Sequence, residues 1–190
     1  RDLVRSRGLG DVYKRQPSEH ALIGLGPAFV TVENYEHLQL VLTEVLGFKL
    51  IDAEGSFHLF EVGEGGNGAS IIVEHREDLP AAQEGYGNVH HLALRVADEE
   101  ALRFWIEKIN RLEFPNSGFV ERFYFKSEYF LAATHVLFEL ATDGPGFLED
   151  ETYEHAGEKL SLPPFLEPKR AGIEEFVRPF DTSDANVQRN

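Results

Sequence analysis

The sequence predicts an α+β protein in which two tandem βαβββ modules form curved mixed sheets and a C-terminal tail comes after them. Two strand-like stretches are each followed by an amphipathic helix pattern, and three more strand-like stretches come after each helix. A shift of 64 residues (96 − 32) superimposes the two copies and places Val32 on Val96 and Leu38 on Leu102. Self-similarity at a fixed period is the signature of a repeated supersecondary unit.

The first module is expected over residues 17–83. Asn34 is suited to cap its helix, and Gly47 is suited to end it, because glycine readily adopts the left-handed conformation found there. The predicted elements are a strand at 24–32, a helix at 35–46 and strands at 48–53, 57–62 and 69–74.

The second module is expected over residues 84–147, where Asp98 is suited to cap the helix. Its predicted elements are a strand at 89–96, a helix lined by Leu102, Trp105, Ile106 and Ile109, and strands at 119–123, 128–132 and 136–141. Residues 148–190 are expected to form the C-terminal tail, with a short helix at 170–177.

Residues 1–16 differ in charge from the rest of the chain. They hold five basic and two acidic side chains, a net charge of +3. The whole chain has a net charge of −15, so the remaining 174 residues have a net charge of −18. They also lack the apolar periodicity that begins near Leu22. We expect a non-native or disordered leader and leave it out of the fold prediction.

The composition limits the class of function. A net charge of −15 argues against a nucleic-acid or anionic-membrane partner, because both bind basic surfaces. Without cysteine, a metal would be bound by His, Asp, Glu or water, a set that suits Fe(II) or Mn(II). No apolar run approaches the roughly 20 residues of a membrane span, and no secretory signal is evident, so we expect a cytoplasmic protein.

Two adjacent histidines, His90 and His91, begin the first strand of the second module. Adjacent strand residues point to opposite faces, so only one of them can enter a given pocket. Glu139 lies in an otherwise apolar strand, where a carboxylate must be paired, hydrogen-bonded or bound to a metal. A histidine and a carboxylate on non-adjacent strands of one curved sheet can converge on an ion. The alternatives are ordinary strand-end histidines and an outward-facing glutamate, although the latter leaves Leu137 unexplained.

Arg122 and Tyr129 lie in a stretch, residues 120–130, that mixes aromatic and charged side chains. Such a mixture suits a pocket for a planar anionic or phenolic ring. The alternative is an amphipathic surface hairpin.

Several segments together resemble a known group of enzymes. The chain is similar, over roughly residues 20–180, to the C-terminal half of a hydroquinone-type ring-cleaving dioxygenase in the vicinal oxygen chelate (glyoxalase/extradiol dioxygenase) superfamily. The segments that carry the resemblance are 24–27, 46–48, 87–96, 122–125, 129–130, 137–147 and 160–164, with Arg170, Ile173 and Glu174.

The resemblance implies paired βαβββ modules around a metal cleft, with Fe(II), or sometimes Mn(II), bound by His91 and Glu139. It implies that His90, Arg122 and Tyr129 line the pocket, orient an aromatic diol substrate beside O2 and assist proton transfer. The reaction expected is ring cleavage of hydroquinone- or catechol-type aromatics, as part of aromatic compound catabolism.

The chain departs from the family pattern in its ligand set. A full-length relative has four modules, and its third metal ligand is a histidine of the first module, whereas this chain holds only the last two. We therefore expect an inactive fragment whose partner is the missing N-terminal half, with a homo-oligomer as a further expectation. Candidate substitutes for the third ligand are His20, His75 and His135, while Pro27 occupies the place of His91 in the first copy.

The turn before Glu139, at residues 131–135, also differs from the residues that relatives have there. Two other functions remain open on the same fold. One is a glyoxalase-like lyase or isomerase that uses Zn(II) or Ni(II), which usually needs four protein ligands. The other is a non-catalytic small-molecule-binding module.

Overall fold

The computed structural model describes residues 24–178 except Ala81, Glu84, Tyr86, Glu154 and Glu158. The predicted leader and His20 lie outside the described residues. The strands are β1 (Ala28–Val32), β2 (Lys49–Glu54), β3 (Phe57–Glu61), β4 (Ser70–His75), β5 (Leu92–Arg95), β6 (Val120–Glu121), β7 (Lys126–Ala133) and β8 (Val136–Ala141). The helices are α1 (Tyr35–Leu40), which continues as a π-helix (Val41–Val45), α2 (Glu99–Arg111), and α3 (Arg170–Phe176), which comes after a 3₁₀ turn (Glu167–Lys169).

The eight strands form two sheets with the same connectivity. The first has the order β1-β4-β3-β2 and the second the order β5-β8-β7-β6. In each sheet the strand before the helix pairs in parallel with the last strand of its module. This repeated topology confirms the predicted α+β fold of two tandem βαβββ modules.

The helix caps also agree with the sequence. Asn34 accepts a hydrogen bond from the His37 amide at 3.0 Å, and Asp98 accepts one from the Ala101 amide at 2.8 Å. The first helix differs from the prediction, because its second half widens into a π-helix in which the Leu46 amide donates to the Val41 carbonyl. The apolar spacing of this segment predicts a helix but does not distinguish α from π geometry.

Side chains of both modules form one apolar core. It is built from the helices and from the sheet faces that they cover, and includes Leu38, Phe60, Leu102, Phe130 and Phe138. In the second module the alternation along β8 sends Phe138 and Leu140 into this core. The intervening residue, Glu139, therefore lies on the opposite face of the sheet.

The described chain divides into two compact units. Among the described residues, one consists of 24–120 and 127–142 and contains both sheets' central strands, and the other consists of 121–126 and 143–178. Within the latter, the Tyr124 hydroxyl donates to Asp150 at 2.8 Å and the Tyr124 ring stacks on Phe147. None of the helices in the described part of the chain has the length and apolar character that a membrane crossing requires.

Candidate metal-binding site

The structure brings His91 and Glu139 into direct contact. The Nε2 atom of His91 lies 2.8 Å from Oε2 of Glu139, and the side chain of Glu139 is only 4% exposed whereas that of His91 is 31% exposed. A buried carboxylate with a nitrogen donor beside it at the edge of solvent is an arrangement that can bind a cation.

The backbone of the second sheet explains this contact. Strands β5 and β8 are parallel neighbours, with Leu92 opposite Phe138 and Ala93 opposite Glu139. The expectation that the two ligands lie on non-adjacent strands was wrong, because β8 is the last strand of its module and closes against the first. The pairing places the residue just before β5 beside the Glu139 side chain.

His90 and His91 lie immediately before β5 rather than within it, since that strand begins at Leu92. The preceding residues form a glycine turn, in which the Asn88 amide donates to the Gly85 carbonyl, and the ladder with β8 starts only after the histidines. Strict strand alternation therefore does not apply to the pair. Their Nδ1 atoms lie 2.9 Å apart, so one ring donates to the other. A neutral His91 that donates Nε2–H to Glu139 must accept at Nδ1 from His90.

Tyr129 lies on the same face of the sheet as Glu139. The two residues are paired in register across β7 and β8, and the Tyr129 ring is edge-on to the His91 ring with centroids 5.4 Å apart. The Tyr129 amide donates to Ser117 Oγ at 2.9 Å, and its carbonyl accepts from the Ser117 amide at 2.8 Å. The segment outside β7 thus fixes the backbone that presents the tyrosine.

The first module carries apolar residues at the corresponding positions. Ala28 pairs with Ile71 as Leu92 pairs with Phe138, so Ile72 is the counterpart of Glu139. Leu59 pairs with Ile72 as Tyr129 pairs with Glu139, and Pro27 is the counterpart of His91. The polar residues His91, Tyr129 and Glu139 therefore belong to the second module, and the first module has apolar residues in their places.

The structure does not bring the two described substitute histidines to the site. His75 lies on the core face of the first sheet, where its ring stacks against Tyr35 with centroids 5.9 Å apart. His135 lies in the turn between β7 and β8 with φ of 61°. At about 3.3 Å per strand residue it is about 13 Å from Glu139 along β8, too far to share an ion. Its sequence parity with Glu139 therefore does not make it a ligand.

Arg122 lies in the unit formed by residues 121–126 and 143 onward. It is in the turn after β6, and its amide donates to the Phe125 carbonyl at 2.9 Å. Its predicted role in substrate binding stays a prediction, as do the catalytic roles of His90 and Tyr129.

Sequence reasoning missed two polar residues of β7 that are completely buried, Ser127 and Glu128. Alternation places Ser127 on the face of Tyr129 and Glu128 on the core face, in register with Leu140. Burial raises the pKa of Glu128 to about 7. A period-two pattern through residues 126–133 would have revealed the position of Ser127, but a glutamate inside the core contradicts every compositional expectation.

The His91 nitrogen and the Glu139 carboxylate are suited to two of the ligand positions of a divalent ion. Oε1 of Glu139 is buried and has no hydrogen-bond partner among the described residues. Two ligand bonds of about 2.1 Å at right angles put their donor atoms about 3 Å apart, close to the observed 2.8 Å between His91 and Glu139. Within the described ranges no group of three or more His, Asp or Glu side chains converges in this way. The remaining positions would fall to water, substrate or a donor elsewhere.

Comparison with solved structures defines the fold class. The described chain has the vicinal oxygen chelate (glyoxalase) fold. A putative dioxygenase from Bacillus subtilis subsp. subtilis str. 168 is 34% identical with a TM-score of 0.73, over 83% of this chain and 50% of that protein. A glyoxylase/bleomycin resistance protein/dioxygenase domain from Frankia sp. EAN1pec is 18% identical with a TM-score of 0.56, over 64% of this chain and 98% of that one.

Comparison with curated proteins gives particular relatives. The chain is 45% identical over 168 residues to "Putative ring-cleaving dioxygenase MhqA" of Bacillus subtilis (strain 168). The aligned region covers 86% of this chain and 53% of the relative. It is 34% identical over 165 residues to "Putative ring-cleaving dioxygenase MhqO" of the same organism, covering 52% of that relative. The chain thus spans about half the length of these homologues. No protein-family model matches it.

Proposed function

We propose that this chain carries the metal-binding part of a non-haem Fe(II)-dependent ring-cleaving dioxygenase of the extradiol type, which acts on hydroquinone- or catechol-type aromatics. The observation that carries the proposal is the 2.8 Å contact between His91 Nε2 and the buried Glu139 carboxylate, on the sheet that also presents Tyr129. The names of the homologues support the reaction class. Mn(II) is the alternative ion, because the same nitrogen and oxygen donors suit it.

His91 and Glu139 would hold the ion, which when bound provides a positive charge that binds a deprotonated diol beside O2. The Glu139 side chain is buried, so its interaction with a cation held there would be only weakly screened by water. His90 can exchange a proton with His91 across the 2.9 Å contact between their Nδ1 atoms, and it is exposed, so it can pass that proton to solvent.

Tyr129 is suited to orient the substrate. Its ring stands edge-on to His91, so an aromatic substrate beside His91 would contact the tyrosine, and its hydroxyl can donate to or accept from a substrate oxygen. We further propose that Arg122 stabilises negative charge on the substrate and that another portion of a longer protein supplies a third metal ligand.

The test is O2 uptake with a substituted hydroquinone by the full reading frame that encodes this chain, purified and loaded with Fe(II) without oxygen. We expect uptake that depends on the hydroquinone and is abolished in His91→Ala and Glu139→Ala. Full metal occupancy without O2 uptake would contradict the proposal and would favour lyase or isomerase chemistry. Far-UV circular dichroism on each variant checks that the fold is retained.

A further inference from the structure

Ser127 is a serine with no exposed surface, and its hydroxyl has no hydrogen-bond partner among the described residues. It lies on β7 two residues from Tyr129, so its side chain is on the face of the sheet that carries the candidate site. A buried hydroxyl that leaves water without gaining a partner costs about 1–3 kcal/mol. A serine at such a position calls for an explanation, because alanine would occupy it at no such cost.

Glu139 has a hydrogen-bond acceptor that lacks a donor. Its Oε2 atom contacts His91, but its Oε1 atom is buried without a partner in the described part of the chain. Ser127 is paired in register with Ala141, two residues beyond Glu139 on β8, so it is the diagonal neighbour of Glu139 across the two strands. Diagonal Cα atoms in an antiparallel pair are about 7–8 Å apart, which a glutamate side chain can span.

The residue opposite Ser127 on β8 is compatible with this pairing. Ala141, directly opposite Ser127, carries only a methyl group, so its side chain leaves room on the β8 side of the hydroxyl. The other buried acid of β7, Glu128, lies on the opposite face and cannot serve as the acceptor. Ser127 and Glu139 are therefore diagonal neighbours on one face of the sheet, and the Ser127 hydroxyl and Glu139 Oε1 both lack a partner among the described residues.

We propose that Ser127 is a positioning residue for the Glu139 carboxylate. Its hydroxyl donates to Oε1, directly after a rotation of the side chain or through one bound water, and this holds Oε2 toward His91 for the cation. Metal-binding carboxylates are generally hydrogen-bonded in turn, and loss of such a partner typically weakens metal affinity about 10–100-fold. The metal-affinity part of this inference rests on the proposed function, whereas the hydrogen bond itself does not.

The first experiment measures the Mn(II) affinity of the full reading frame that encodes this chain by isothermal titration calorimetry, because the proposed third metal ligand belongs to another portion of that protein. We expect Ser127→Ala to raise the Kd about 10–100-fold and Ser127→Thr, which keeps the hydroxyl, to restore most of the affinity. The matched control is Ser70→Ala, since Ser70 is a buried strand serine of the first sheet that donates to Glu61 and to the Gly66 carbonyl. It should leave the Kd unchanged. An unchanged Kd in Ser127→Ala would overturn the metal role of Ser127.

The second experiment needs no metal. It compares the melting temperatures of Ser127→Ala, Glu139→Ala and the double variant in metal-free buffer, because residues that share a hydrogen bond show non-additive effects. We expect the double variant to lose less than the sum of the two single losses, and Ser70→Ala combined with Glu139→Ala to be additive. Additive losses in the Ser127 cycle would refute the hydrogen bond. Coupling in a full reading frame that binds no Mn(II) would instead refute the proposed function and leave the hydrogen bond standing.

Discussion

Glu128 makes the stability of this chain depend on pH in an unusual direction. Its side chain is completely buried on the core face of β7, neither oxygen has a hydrogen-bond partner among the described residues, and burial alone raises its pKa to about 7 from the usual 4.5. The folded chain therefore keeps this carboxyl protonated at pH values at which the unfolded chain has ionised it. The resulting stability is fully present below pH 4.5 and is lost as the pH rises through 7.

The size of the effect can be worked out from the shift. A displacement of 2.5 pKa units (7 − 4.5) at 1.36 kcal/mol per unit corresponds to a loss of about 3 kcal/mol between acidic and alkaline pH. Glutamine at this position has nearly the same shape and does not ionise. The quantity to compare is the free energy of unfolding of Glu128→Gln minus that of the wild type. We expect this difference to be about 3 kcal/mol larger at pH 8 than at pH 4.5.

The assay is urea unfolding of the wild type and Glu128→Gln, followed by tryptophan fluorescence at several pH values between 4.5 and 8. The control is Glu107→Gln, because Glu107 is an exposed residue of α2 and its substitution alters no buried group. A pH-independent difference between the wild type and Glu128→Gln would refute the assignment of a protonated, buried Glu128.

Substitutions at three further positions test the fold, with the free energy of unfolding as the measurement. Phe138→Ala should cost about 3–5 kcal/mol, because Phe138 is completely buried between the sheet and its helix; a cost below about 1 kcal/mol would contradict the assigned core face of β8. Asp98→Ala should lower the free energy of unfolding by about 1 kcal/mol, because the cap of α2 is lost. Asp98→Asn should keep most of that stability, because its side-chain oxygen can still accept from the Ala101 amide. His135→Gly should stabilise the chain by up to about 1 kcal/mol, because His135 has φ of 61° and glycine adopts this conformation without strain; destabilisation would argue against that turn.

The duplicated topology was predictable because apolar periodicity is local and repeats along this chain. Strands β7 and β8 were recognisable from such patterns, and so was Glu139 as a carboxylate that needs a partner. The position of His91 was predictable only in part. Its contact with Glu139 depends on the parallel closure of β5 on β8, and the glycine turn places both histidines outside the strand, where alternation gives no information.

Other features depend on packing that no local pattern encodes. The π-helix of residues 41–45 has the same apolar spacing as an α-helix. Glu128 lies in the core although it is a charged residue type, and the cost appears as a raised pKa rather than as a sequence signal. The apolar character of the corresponding positions in the first module became clear only when the strand registers matched Ile72 with Glu139 and Leu59 with Tyr129.

The central claim is that His91 and Glu139 bind one ion between them, and electron paramagnetic resonance of added Mn(II) tests it most directly. Protein-bound Mn(II) loses the sharp signal of the hydrated ion, so the free concentration can be read in the wild type and in each variant. In the full reading frame we expect His91→Ala and Glu139→Ala to leave the added Mn(II) free, while His90→Ala still binds it with an affinity lowered about 10–100-fold by loss of the partner at His91 Nδ1. Binding that survives in His91→Ala but is lost in His90→Ala would contradict the claim.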